Sequence, residues 1–133
     1  MFKTPIFIRA FILLFTIAVL DLSANFFYLH WSYWWFDVIL HFLSGICVAM
    51  GSISFFSYYL KLSKEDQKLV IALGVLATII IGVIWEIFEV QYNMTFLSDG
   101  ILFIQDTVSD LGMDFSGGVL GSIYCLRFLK GDD

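Results

Sequence analysis

The sequence predicts an all-α polytopic membrane protein, a bundle of four transmembrane helices in a single domain over residues 1–133. Three observations carry that expectation. The chain is 60% hydrophobic and only 14% charged, which leaves too little polar surface for a soluble domain of this size. Its apolar residues gather into runs of about 20, the length that crosses a hydrocarbon core as a helix. The seven Lys and Arg residues stand near the ends of those runs, whereas many acids lie inside them.

The first span is expected at about 5–28. Pro5 sits at its start, where a missing N–H is harmless. The run is too long for a signal-peptide core and has no clear A-x-A site, so it is kept as a transmembrane helix. An aromatic segment follows, His30-Trp31-Ser32-Tyr33-Trp34-Trp35, of the kind found where rings meet lipid headgroups. His30 reads as part of that belt. The second span, about 34–59, leads into the polar loop Lys61–Lys68, the one plainly solvated linker. The third span covers about 69–91. A mixed segment from Tyr92 to Gln105 then precedes the fourth, about 106–128.

With four spans, Lys3, Arg9, Lys61, Lys64, Lys68, Arg127 and Lys130 all fall on one side. The positive-inside rule then places both termini and the 61–68 loop in the cytoplasm. Depth follows from direction. Asp21 and Asn25 lie near the outer end of the first span, and Asp37 and His41 in the first two turns of the second. Glu86 and Glu89 lie near the outer end of the third, and Asp106, Asp110 and Asp114 open the fourth. Every embedded acid thus reaches the outer half of the bilayer, where no Lys or Arg is expected.

Asp106, Asp110 and Asp114 recur every four residues, a spacing that drifts only about 40° per step around a helix. Asp37 and His41 share a face at i, i+4, as do Glu86 and Glu89 at i, i+3. Unneutralised charges in a bilayer cost several kcal/mol apiece, about 3 on insertion scales. Bound cations, protons or basic partner helices would each answer that cost. A carboxylate-rich set with one imidazole suits a divalent metal, with Mg²⁺, Mn²⁺, Ca²⁺ and Zn²⁺ all open. The expected ligands are Asp37, His41, Glu86, Glu89, Asp106, Asp110 and Asp114, and His41, Glu86 or Glu89 would act as catalytic base. Simpler roles exist for some of these groups. Asp37 and Asp106 are placed to cap helices, Glu89 can reach the interface, and Asp114 can be protonated or hydrogen-bonded instead. Asp21 and Asn25 stand further from the expected ligands.

Gly117-Gly118-x-x-Gly121, with Ser116 and Ser122, follows the small-xxx-small rule for close helix packing in lipid. Gly45, Gly51, Gly74 and Gly82 are expected to serve likewise. Cys47 and Cys125 are isolated in apolar runs and read as buried small hydrophobes, with neither a redox pair nor a zinc ribbon.

Trp35-Phe-Asp37-x-x-x-His41-Phe42, Trp85-Glu86-x-x-Glu89 and Asp106-x-x-x-Asp110-x-x-x-Asp114-x-x-Gly117-x-x-x-Gly121 together resemble the small VanZ-like membrane proteins. The pattern is most similar to their YjdF-like branch in the bacterial inner membrane. The resemblance covers the second to fourth spans. VanZ-like proteins usually carry Gln where this chain has Glu89 and Asn where it has Asp114, so the present set is more anionic. The resemblance implies a multi-pass protein of the bacterial inner membrane and an association with cell-envelope chemistry, without naming a reaction.

Three functions fit these residues. One is a metal-dependent enzyme acting on a lipid-linked envelope substrate at the outer leaflet. Another is a cation-binding or transport protein, although the inner half of each span is apolar and a polar route would need an oligomer. The third is a non-catalytic accessory subunit whose acids meet a basic partner helix. The partners implied are the lipid bilayer, a lipid-linked substrate, and either further copies of the chain or another membrane protein. Nucleic acid is excluded by the lack of a basic patch. A di-iron bundle would want two Glu-x-x-His elements, and Glu86-x-x-Glu89 lacks the histidine.

Overall fold

The computed structural model of the protein describes residues 5–129. Lys3 and Lys130 lie outside the described residues, as do the side chains of His30, Trp31 and Trp34. The chain runs through α1 (Pro5–Phe26), a short α2 (Leu29–Ser32), α3 (Trp34–Leu60), α4 (Gln67–Gln91), a 3₁₀ turn (Leu97–Asp99) and α5 (Ile101–Leu126). No strand occurs among the described residues. Helices α1, α3 and α4 are each followed by a residue with positive φ, Tyr28, Lys61 and Asn93 respectively, which turns the chain out of the helix.

Helices α1, α3 and α4 are long and apolar enough to cross a membrane. Helix α5 has the length, 26 residues, but its three aspartates lower its hydropathy. It belongs to the bundle nonetheless, lying along both α3 and α4. The result is an all-α membrane bundle of four long helices.

Close approaches fix the directions. Gly117 abuts Phe42 and Ile46, and Gly121 abuts Ile46 and Ala49, so α5 runs parallel to α3. Gly74 faces Ser122, and Gly118 faces Thr78, so α4 is antiparallel to α5. The Cys47 thiol contacts the Ala10 carbonyl at 3.4 Å, while Asp21 and Asp37 line one cavity; α1 is thus antiparallel to α3. This up-down order gathers Asp21, Asp37, His41, Glu86, Glu89, Asp106, Asp110 and Asp114 at one end. Arg9, Lys61, Lys64, Lys68 and Arg127 occupy the other.

The basic end is closed by an apolar cluster that includes Ile6, Ala10, Met50, Ile53, Val70 and Cys125. Arg9 ties α1 to α5 there: its guanidinium lies 4.3 Å from the Phe128 ring centre and donates to the Tyr124 hydroxyl. Elsewhere α1 is thinly packed, burying only Ile6, Ala10 and Ala24.

Three expectations need correction. The fourth long helix begins at Ile101, not Asp106, because Ile101-Leu-Phe-Ile extends the apolar run and Gly100, at φ 62, makes the break. Asp106 therefore sits in the second turn and caps nothing. Gly51 has no neighbour within 4 Å of where a side chain would begin, so it is no packing residue. Ser116 is exposed and bonds back to the Gly112 carbonyl, off the packed stripe. Cys47 and Cys125 are buried and free.

Candidate metal centre

The site is built on the seam where three helices come closest. A methyl group at Gly45 would collide with the Asp114 carbonyl oxygen, and one at Gly117 with the Phe42 carbonyl. Only hydrogen at these Cα atoms lets α3 and α5 approach so nearly. Across the seam, Thr78 of α4 donates to the Gly74 carbonyl at 2.8 Å and reaches the Gly45 carbonyl at 3.4 Å. Gly82 leaves the space that the Asp114 carboxylate fills. Small residues on three helices thereby hold Asp114 in place.

Asp114 in turn meets His41, its Oδ2 standing 3.4 Å from the imidazole Nδ1. The other nitrogen, Nε2, faces Asp37 Oδ2 and Asp110 Oδ2, each at 3.9 Å. One donor atom from each of Asp37, His41 and Asp110 lies within 4.8 Å of the others. Two donors each about 2.1 Å from one ion stand at most about 4.2 Å apart, so both 3.9 Å separations lie within reach of a shared ion, with a small inward shift needed for tetrahedral geometry. Asp110 is 1% exposed, and its Oδ2 is buried with no hydrogen-bond partner among the described residues. A buried carboxylate oxygen close to two other donor atoms, with no hydrogen bond among the described residues, leaves room for a cation, a proton or a water.

The remaining acids surround this trio. Glu86 is buried; one carboxylate oxygen accepts from the Thr107 hydroxyl at 2.7 Å, and the other has no partner among the described residues. Glu89 is buried and accepts from the Trp85 indole N–H at 2.8 Å. Its carboxylate is in electrostatic reach of Asp37, Glu86 and His41. Asp106 is exposed at the rim, in reach of Asp37 and His41. Asp21 lines the adjoining cavity, and the exposed Asn25 donates back to the Asp21 carbonyl at 3.0 Å.

A family model described as "Predicted membrane protein (DUF2238)" matches residues 1–131. The chain belongs to this family. No curated protein and no solved structure matches it. Membership in the DUF2238 family agrees with a membrane bundle and assigns no chemistry, so the site rests on its geometry.

The structure brings Asp37, His41 and Asp110 together, with Asp114 behind the imidazole and Glu86 and Glu89 beside it. Asp106 is the outlier. Two steps of 40° carry it about 80° from Asp114, past the edge of the buried face. Residues that composition did not single out complete the site. Trp85 holds Glu89, and its position one turn earlier on the same face was a readable signal. Thr107, half-buried, leads the stripe that continues through the buried Asp110, Asp114, Gly117 and Gly121, visible as i, i+3, i+7 spacing. The roles of Gly45 and Gly82 at Asp114 had no local signal, because they depend on which helices meet.

Proposed function

We propose that this DUF2238 protein binds a divalent metal ion between Asp37, His41 and Asp110 and acts as a metal-dependent enzyme on a lipid-linked envelope substrate. The observation that carries the reading is the placement of His41 between Asp114 and two carboxylates, one ending in a partnerless buried oxygen. A carboxylate behind a ligating histidine fixes its tautomer and raises its basicity. The mixed nitrogen and oxygen donors favour Zn²⁺ or Mn²⁺ over Ca²⁺ or Mg²⁺.

Such an ion, when bound, activates water or polarises a substrate oxygen. His41 would be occupied by its two contacts, so the proton acceptor would be Glu86, through its free buried oxygen, with Glu89 beside it. Thr107 and Trp85 hold these two carboxylates in place. The acidic end would face outward and the basic end the cytoplasm, as the positive-inside rule requires. The YjdF-like and VanZ-like resemblance supports a bacterial inner-membrane location and an envelope role. The transport reading is disfavoured by the apolar cluster that closes the basic end among the described residues.

The test is the metal content of detergent-purified protein by mass spectrometry, wild type beside Asp110→Asn and His41→Ala. About one ion per wild-type chain, lost in both variants, is expected. A well-folded wild type that carries no metal and gains no thermal stability from Zn²⁺ or Mn²⁺ would overturn the reading.

A further inference from the structure

A cavity of about 390 Å³ lies beside the metal centre, within the range of small-molecule sites. Leu14, Ile17 and Ala18 of α1 form one wall, and Ile81 and Trp85 of α4 face them. Helix α3 forms the floor from Asp37 to Val48. Those 11 steps span about 16 Å along the helix axis, about half of a 30 Å hydrocarbon core. The slot is therefore as deep as one leaflet. Its inner part is mostly apolar, with Ser44 and Thr78 adding hydroxyls, and Asp21, Asp37, His41 and Asp114 line its polar end.

The wall given by α1 explains the opening. Its buried residues, Ile6, Ala10 and Ala24, lie to either side of the segment that lines the slot. Helix α1 thus touches the bundle near its two ends and bridges the cavity between them. Lipid can reach the slot sideways, between α1 and α4, without leaving the membrane.

We infer that the slot receives one hydrocarbon chain of a phospholipid whose head carries a primary ammonium, drawn from the leaflet at the acidic end. Charge complementarity selects the head. No Lys or Arg among the described residues stands at this end, so away from the ion and His41 a purely anionic head would meet carboxylates and no cation to pair with. A primary ammonium can donate its N–H groups to Asp21, which lines the slot from α1, as a trimethylammonium cannot, and the phosphate beside it would lie toward the ion. The inference rests on the proposed metal site for where the phosphate goes, but chain and ammonium binding need no metal.

The experiment is native mass spectrometry of the wild type offered equal amounts of phosphatidylethanolamine, phosphatidylcholine and phosphatidylglycerol, with chelator and with Zn²⁺. Retention of the ethanolamine lipid over both the glycerol and the choline lipid by about fivefold or more is expected under both conditions, and a choline lipid held as well as the ethanolamine one would overturn the primary-ammonium assignment. Asp21→Asn should remove that preference, and Ala18→Trp should remove tightly held lipid of every kind. Leu22→Trp, exposed on the same helix and outside the slot, should change neither. A photoactivatable chain on the ethanolamine lipid should label the wild type at Leu14, Ile17, Val48 and Ile81, a readout independent of any variant. Equal retention of the three lipids, or labelling confined to the outer surface, would overturn the inference. Selective lipid binding by a protein that takes up no Zn²⁺ or Mn²⁺ when these are offered would sink the metal reading alone, and metal binding without lipid preference would sink only this one.

Discussion

His41 and Asp114 stand 73 positions apart in sequence, yet imidazole Nδ1 and carboxylate Oδ2 come within 3.4 Å in the buried centre of the bundle. The contact turns the other ring nitrogen toward Asp37 and Asp110. If the proposed metal binds there, Asp114 would act on it through the imidazole rather than by direct contact. Asp114→Ala should weaken Zn²⁺ or Mn²⁺ binding by about 10–100-fold while leaving a site. Competition titration with a metal indicator measures this. Loss as complete as in His41→Ala would instead make Asp114 a direct ligand.

Asp110 should behave in opposite ways with and without metal. In chelator its buried, partnerless oxygen is a cost, so Asp110→Asn should raise stability by about 1–3 kcal/mol. With Zn²⁺ present the wild type gains binding energy that the variant cannot, and the order should reverse. Thermal melts under both conditions show the crossing. A variant less stable than wild type in both would mean that Asp110 is held by contacts within the protein.

The glycines of α3 make a paired test. Gly45→Ala drives a methyl group into the Asp114 backbone and should cost about 1–3 kcal/mol, as well as loosening the metal site. Gly51→Ala meets nothing and should be neutral or slightly stabilising, since alanine is the better helix former. Their melting temperatures separate a helix seam from a chance glycine.

Arg9 should control how firmly α1 is held. Arg9→Ala removes the contact with Tyr124 and Phe128, which is worth about 1 kcal/mol. The amides of α1 should then exchange faster, with those of α3 unchanged. Arg9→Lys should recover only part of the protection, because an ammonium is not a flat group that stacks.

Sidedness is open to labelling in intact cells. With Cys47 and Cys125 buried, an impermeant thiol reagent should modify Ser98→Cys from outside. Lys64→Cys should react only after the cells are opened. The reverse result would place the acidic end in the cytoplasm.

Much of this was legible in the chain. The length and apolarity of the runs foretold the helices, and up-down order alone placed Asp37, His41, Glu86 and Asp110 at one depth. Within a helix, spacing was a good guide, as Asp37 with His41 demonstrates. It failed where small angular drift accumulates, which is why Asp106 ends at the rim. The start of α5 was hidden because Ile101–Ile104 extends the apolar run ahead of the first aspartate. Contacts between helices were the least legible. Gly45 and Gly51 look alike in sequence, and only the parallel seating of α5 on α3 makes one indispensable and leaves the other idle.

That parallel pairing has a consequence for biogenesis. Helices α3 and α5 cannot meet as a hairpin; α4 must first cross back between them. Until Ile101 and the residues after it have been synthesised and inserted, Asp37 and His41 have neither Asp110 nor Asp114 to face. The half-made protein therefore carries ionisable groups in lipid with their partners still missing. Completing the last helix is then what both closes the bundle and assembles its centre, so a truncation ahead of Asp110 forfeits the two together.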